Sequence, residues 1–276
     1  MPADMAALAA DVAAESAVTR ALVAGLDEAG WHLATPAAGW DIADQITHLA
    51  YFDEVTVQTA VAPQEFLAAR ADYEAAGGIS PDDIAARFRD RTPAQLLAWF
   101  DTARAQLIDT FSGLDPATRL PWFGPAMSAA SSLTARLMET WAHTQDIADA
   151  LGVSREPTER LRHVAHIGVG ARAYSFAVRA KPAPSAPVRV ELIPPSAPAG
   201  VTWTWGPEDA ADRITGPALD FCLLVTQRRH RDDVDLKIEG PAAGEWMAIA
   251  QAFAGAAGPG REAVERNGTA RPDTQA

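Results

Sequence analysis

Apolar positions spaced three and four apart run through most of the first 180 residues and predict a succession of helices. The first covers 4–29, with an Ala-rich, leucine-spaced face, and stops at Gly30. A loop from Trp31 to Trp40 carries Pro36 and Gly39, after which Asp41 suits an N-cap for a helix running to about Val61. The polar stretch 62–80 contains a Gly-Gly pair and a short helix around 64–75. Helices at 81–90 and 93–112 follow, the second opening on Thr92–Pro93, an N-cap followed by proline at the first helical position. Three prolines punctuate a loop over 113–125. A helix over 126–151 ends at Gly152, and another spans about 157–178.

The pattern then changes. Six prolines fall within KPAPSAPVRVELIPPSAPAG (181–200), around the alternating run Val188–Ile193, which reads as a linker feeding a short strand. VTWTW (201–205) alternates as a second strand, 216–229 reads as a helix, 234–238 as a third strand and 242–255 as a closing helix. From Gly258 the chain has little apolar content. The expected organisation is an all-α domain over 1–180, a small α+β domain over 186–256 and a disordered tail over 257–276.

Composition narrows the function. Of 276 residues 48% are hydrophobic, enough for a sizeable core, and the formal net charge is −13. Such a chain repels a phosphate backbone or an anionic bilayer at long range, so neither nucleic acid nor membrane is expected as a partner. Small anions held by a local arginine remain compatible. Among the 23 basic residues only Lys181 and Lys237 are lysine, a bias of high-GC bacterial coding. Cys222 is the single cysteine, set in the apolar run Leu219–Val225, where it reads as a small buried hydrophobe. No cationic start precedes an apolar core, and no uncharged apolar run reaches about 18 residues. A cytoplasmic location is expected.

Two stretches carry chemistry. In ARLMETWAHTQDIADALG (135–152), Glu139 and His143 lie four apart on a segment without internal Gly or Pro, so both fall on one helical face. In GWDIADQITHLAYFDE (39–54), His48 comes from a second amphipathic segment. Spacing alone makes a solvated charge pair the default, but the flanking positions Ile46, Leu49, Leu137, Met138 and Trp141 are apolar, and bundles build metal sites from facing helices in this way. Two imidazoles and a carboxylate suit zinc and leave positions open for water, thiol or substrate. Arg136 and Asp146 continue the face of Glu139 and His143, and Asp146 is placed to orient an imidazole or to make a surface ion pair. Asp44 and Gln45 share the face of His48 and are candidates for similar roles. His163 and His166, three apart, lack a nearby acid to complete a set, and His32 and His230 read as structural or solvated.

The same two stretches resemble the DinB-like superfamily of metal-dependent bacterial proteins, and more closely its branch of mycothiol-dependent maleylpyruvate isomerase-like proteins. The resemblance rests on Trp40–Ala50, a W-D-x-x-x-x-x-x-H-L-A stretch, and on Glu139–Ile147, an E-x-x-x-H-x-x-D-I stretch. It implies His48, Glu139 and His143 as ligands of a divalent metal such as zinc. It also implies a DinB-like four-helix bundle with extra helices, followed by a small α+β domain resembling sterol carrier proteins. The family's second domain carries a T-G-R-like turn whose arginine reaches the active site; here Leu224–Arg229 matches it, with Arg228 in that place, Gln227 where glycine is usual, and Arg229 as the competing counterpart. Some relatives carry a name associated with wyosine base formation in tRNA, for which this acidic chain offers no basic stripe.

What the resemblance implies is an enzyme in which the metal activates a low-molecular-weight thiol, mycothiol, as co-substrate. The thiol attacks a small electrophilic substrate for transfer or for cis–trans isomerisation, with Arg228 on a substrate carboxylate. Metal-hydroxide hydrolysis on the same site and a non-catalytic metal- or ligand-binding protein are the alternatives, and either a monomer or a homodimer is compatible.

Overall fold

The computed structural model describes residues 3–264 other than 76, 79, 197 and 199. Among them are eleven α-helices and a small mixed sheet, the helical-then-α+β class expected from the pattern. The backbone divides into two compact units, one ending at Ile167 and the other beginning at Gly168.

The first unit contains α1 (Met5–Val23), α2 (Glu28–Trp31), α3 (Ile42–Val61), α4 (Pro63–Ala75), α5 (Pro81–Arg87) and α6 (Pro93–Ser112). A two-stranded ribbon, β1 (Arg119–Leu120) against β2 (Met127–Ser128), leads into α7 (Ala129–Leu151), and α8 (Leu161–Gly170) carries the division. The long helices α1, α3, α6 and α7 pack on one another as a four-helix bundle. Their starts follow from local chemistry. Asp41 and Asp44 form a reciprocal capping box at α3, and Thr92 with Gln95 forms one at α6, where Pro93 fills the first turn. Ser128 caps α7, and Gly152 ends it in the left-handed conformation (φ 65°) that a side chain would strain. Trp31, Ile42, Ile46, Leu49, Leu96, Phe100 and Ile147 fill the core between these helices.

Buried charge in this unit is paired. Asp53, fully buried, lies 2.8 Å from Arg104 and 3.0 Å from Arg136, tying α3, α6 and α7 together. Burial of the Arg104 guanidinium lowers its pKa to about 10 against the opposing pull of Asp53. Glu15 on α1 is held by Arg155 and, at 2.9 Å, by Arg160.

The second unit contains α9 (Arg172–Ala177), β3 (Val188–Ile193), β4 (Trp203–Trp205), β5 (Asp212–Pro217), α10 (Ala218–Val225), β6 (Lys237–Glu239) and α11 (Pro241–Met247). Sheet order is β4-β3-β5-β6, with β3 and β5 parallel and the outer pairs antiparallel. Phe221, Cys222, Val225 and Trp246 are buried with Val190, Leu192 and Ile214 of the sheet. Cys222 is thus the buried hydrophobe its setting suggests. Asp212, also buried, accepts the Ala243 amide at 3.0 Å inside the first turn of α11.

Several boundaries differ from the sequence expectation. The first predicted helix is two, α1 and α2, because Asp27 caps a fresh turn. The predicted 157–178 helix is α8 and α9, and Ser175 of α9 donates to the Gln251 carbonyl within the second unit. The helices expected at 216–229 and 242–255 shorten to α10 and α11, the third strand begins at Lys237, and β5 was not anticipated. The tail expected over 257–276 lies outside the described residues from 265 onward. Among the described residues no helix is long and apolar enough to cross a membrane.

Candidate metal centre

Two bundle helices deliver the three predicted ligands to one place. His48 comes from the second turn of α3, and Glu139 and His143 from adjacent turns of α7. Glu139 Oε2 lies 3.3 Å from His143 Nε2 and 3.7 Å from His48 Nε2. One ligand atom from each residue falls within 4.8 Å of the other two, the one such group of three found among the described residues. Donors each about 2.1 Å from a tetrahedral ion stand about 3.4 Å apart, so these separations suit a shared cation.

The hydrogen-bond directions point the same way. The Trp40 carbonyl can only accept, so Thr35 Oγ1 donates to it at 2.9 Å. Thr35 Oγ1 must then accept from Gln45 Nε2, also at 2.9 Å, which turns Gln45 Oε1 toward His143 Nδ1. That ring nitrogen carries the proton and donates to Gln45, leaving the Nε2 lone pair facing the Glu139 carboxylate. Two acceptors 3.3 Å apart in a buried site require a cation between them, a proton or a metal ion. His48 Nδ1 is buried without a hydrogen-bond partner, and its Nε2 stands beyond hydrogen-bonding distance of Glu139. The residues therefore fit a divalent metal.

Aromatic walls surround the triad. The His48 and His143 rings are 4.2 Å apart, Trp40 stacks on His143 at 5.9 Å, and Phe52 lies 4.7 Å from His48. Burial, with His143 beside it, pushes His48 down to about 3 against the opposing Glu139, so its imidazole is neutral and ready to coordinate. Burial alone would raise Glu139, but the two imidazoles beside its carboxylate hold it well below the usual carboxylate range. A cavity of about 370 Å³ shares Trp40 with the triad and is lined also by Thr35, Thr47, Arg89 and Arg91.

Of the residues expected to support the ligands, Arg136 and Asp44 take other partners. Arg136 turns to Asp53 and to the Leu49 carbonyl. Asp44 stands at the third position of α3, where it accepts the Asp41 amide and pairs with Arg89 at 2.8 Å. Asp146 is fully buried on α7, so it makes no surface ion pair, and Gln45 hydrogen-bonds the His143 ring. Arg228 lies in the second unit, with Nη1 donating to the Thr226 carbonyl and its guanidinium over the Phe253 ring at 6.0 Å; Arg229 donates to the Arg228 carbonyl. Gln227, at φ 59°, adopts the left-handed turn conformation that glycine would take more readily. The other histidines are not in the triad: His163 pairs with Asp11 at 3.0 Å, His32 with Asp41 at 2.8 Å, and His230 accepts the Asp232 amide. Trp40 and Phe52 sit inside the ligand stretch 39–54, where their spacing from His48 is a signal of the aromatic wall, whereas nothing in the sequence singles out Thr35.

Comparison with known proteins places the chain among relatives. The family model described as mycothiol maleylpyruvate isomerase N-terminal domain matches residues 12–148, which include His48, Glu139 and His143. A second, described as wyosine base formation, matches 196–237, which includes α10 and Arg228. Two Mycobacterium tuberculosis relatives, both described as uncharacterized proteins, are each 48% identical over 263 residues, covering 94% of this chain and 100% of theirs. Crystal structures of the mycothiol-dependent maleylpyruvate isomerase and of a histidine-to-alanine mutant of it superpose with a TM-score of 0.55. They are 16% and 15% identical to this chain and cover 85% of it and 94% of their own length, a likeness of fold.

Proposed function

Because the chain belongs to the mycothiol maleylpyruvate isomerase N-terminal domain family and has its DinB-like fold, we propose that it is a metal-dependent enzyme using a low-molecular-weight thiol, mycothiol, on a small electrophilic substrate. The observation that carries this reading is the convergence of His48, Glu139 and His143. A divalent ion held there, for which we propose zinc, supplies the acidity that turns a thiol into a thiolate near neutral pH.

The chain's own residues supply the rest. His48 and His143 present neutral lone pairs, and the relay through Gln45 and Thr35 keeps His143 in the required tautomer. Trp40 and Phe52 exclude water from the imidazoles, which strengthens charge interactions in the site. The adjoining cavity, with the hydroxyls of Thr35 and Thr47 and the guanidiniums of Arg89 and Arg91 in its wall, offers space for the thiol's polar body. We assign Arg228 to a substrate carboxylate through a bidentate contact; its anchoring to Thr226 and Phe253 favours a fixed guanidinium plane. Sulfur–carbon bond formation, rotation about the former double bond and loss of the thiol give isomerisation; retention of the thiol gives transfer.

The test is elemental analysis of the purified protein and of a His143→Ala variant, followed by adduct and isomer assays with mycothiol on unsaturated diacids and epoxides. Stoichiometric metal, lost in the variant together with thiol-dependent turnover, is expected. Turnover without thiol would replace this reading with hydrolysis, and metal binding with no activity toward the panel would leave a binding protein.

A further inference from the structure

The cavity of about 370 Å³ in the first unit is lined by the start of α3, the loop before it and the turn joining α5 to α6. Its charged lining is His32, Asp41, Asp44, Arg89 and Arg91, and all but one of these groups have a partner beside them. Asp44 takes Arg89 on both carboxylate oxygens, at 3.1 and 2.8 Å. Asp41 takes the His32 ring at 2.8 Å and the Asp44 amide at 2.9 Å. The neighbouring acids Glu54 and Asp82 accept the indole N–H groups of Trp99 and Trp40, at 2.7 and 2.6 Å. Arg91 is the exception. Its Cζ stands over the Trp99 ring at 4.1 Å and over the Phe88 ring at 4.6 Å, and among the described residues its guanidinium makes no hydrogen bond or ion pair. Stacking engages the faces of a guanidinium and leaves the N–H groups in its plane to donate.

Thr47 is a second unused donor in the same wall. It is 2% exposed, yet its hydroxyl has no hydrogen-bond partner among the described residues. Thr56 on the same helix, and Thr140 and Thr144 on α7, turn theirs to the carbonyl four residues back, at 2.6–2.7 Å. A hydroxyl so enclosed is costly to leave unpaired, so its partner has to come from the cavity. A stacked cation and an enclosed hydroxyl, both lacking acceptors, match a carboxylate, which offers two oxygens to a planar fork. Ala43, Phe88 and Leu96 supply apolar contact for a short carbon body.

We propose that Arg91 is a specificity-determining residue: with Thr47 it receives a carboxylate of the small molecule that enters this cavity. The recognition comes from directed donors rather than from a net field, because the other charges of the wall are paired. This assignment deepens the reading above and rests on it for the reaction that the acid undergoes, though not for its binding.

The test is calorimetric titration of the full-length, metal-loaded protein with succinate and with succinamide, its uncharged analogue, at fixed ionic strength. Saturable binding of succinate is expected, with succinamide at least about tenfold weaker. Arg91→Gln should lose about tenfold or more in succinate affinity and Thr47→Val roughly two- to tenfold, with circular dichroism and urea melts confirming the fold. Arg91→Lys keeps the charge without the planar fork and should recover only part of the loss. His143→Ala, which dismantles the metal triad, should retain succinate binding, so that failure of the thiol chemistry would leave this result standing. Absence of saturable binding, equal affinity for succinamide, wild-type affinity in both Arg91→Gln and Thr47→Val, or loss of binding in His143→Ala would overturn the proposal.

Discussion

Replacing Gln45 by leucine tests the proton relay behind the metal centre. Gln45 is completely buried and makes two hydrogen bonds, to His143 Nδ1 and, at 2.9 Å, to Thr35 Oγ1. Leucine nearly preserves the volume but removes both partners, leaving the His143 N–H without an acceptor in a buried site. An orphaned donor of this kind costs about 1–3 kcal/mol. Part of that cost falls on the metal-free fold, because the histidine can turn to seek another partner. The remainder falls on metal affinity, where loss of the group behind a ligating histidine weakens binding by roughly 10–100-fold. Competition with a chromophoric chelator gives the zinc dissociation constant of wild type, Gln45→Leu and Gln45→Glu. Glutamate restores an acceptor for Nδ1 and should recover most of the affinity that leucine loses. A wild-type dissociation constant in a correctly folded Gln45→Leu protein would refute the relay, as would equal losses in the two variants.

Three further outcomes follow from the same structure. In metal-free protein, the lowered pKa of His48 means that the unfolded chain binds its proton first; stability is therefore full above about pH 6.5 and falls as pH drops toward 3. The depressed Glu139 adds a loss of the same sign below its ordinary range, and denaturant melts between pH 8 and 4 should show the decline steepening, with flat behaviour opposing the reasoning. Glu15→Ala strands Arg155, whose buried guanidinium already has a lowered pKa, and should cost about 3–5 kcal/mol in urea unfolding; a loss under about 1 kcal/mol would contradict the pairing. Gly206 sits at φ 79°, and a Cβ there would lie 2.2 Å from the Val188 carbonyl oxygen, so Gly206→Ala should loosen the β3–β4 edge by more than about 1 kcal/mol and speed proteolysis within the second unit. Unchanged proteolysis would count against that close approach.

The triad was legible because its information is local: one helical turn joins Glu139 to His143, and an apolar frame marks both ligand segments. Caps at Asp41, Thr92 and Gly152 were legible for the same reason. What supports the ligands was less so, since it depends on partners far along the chain. Asp44 shares the predicted face of His48, yet Arg89, 45 residues on, holds it. Arg136 lies one turn before Glu139 but answers to Asp53, 83 residues earlier. Gln45, 98 residues before His143, makes the hydrogen bond to its Nδ1, a contact between α3 and α7 that no single helical wheel displays. Strand β5 escaped notice because DRITGP offers one apolar side chain for burial; its place comes from parallel pairing with β3 and from the Asp212 contact to Ala243.

The carboxylate of Asp53, gripped from two helices, has a consequence for how the centre is filled. It clamps α3 and α7 by a bond that needs no ion, so under the proposed function the scaffold would empty and refill without coming apart. For a metal ion held there as proposed, occupancy would then be settled by cellular supply and by the general ranking of transition metals for nitrogen and oxygen donors, rather than by a folding event that commits the chain to whichever ion arrives first.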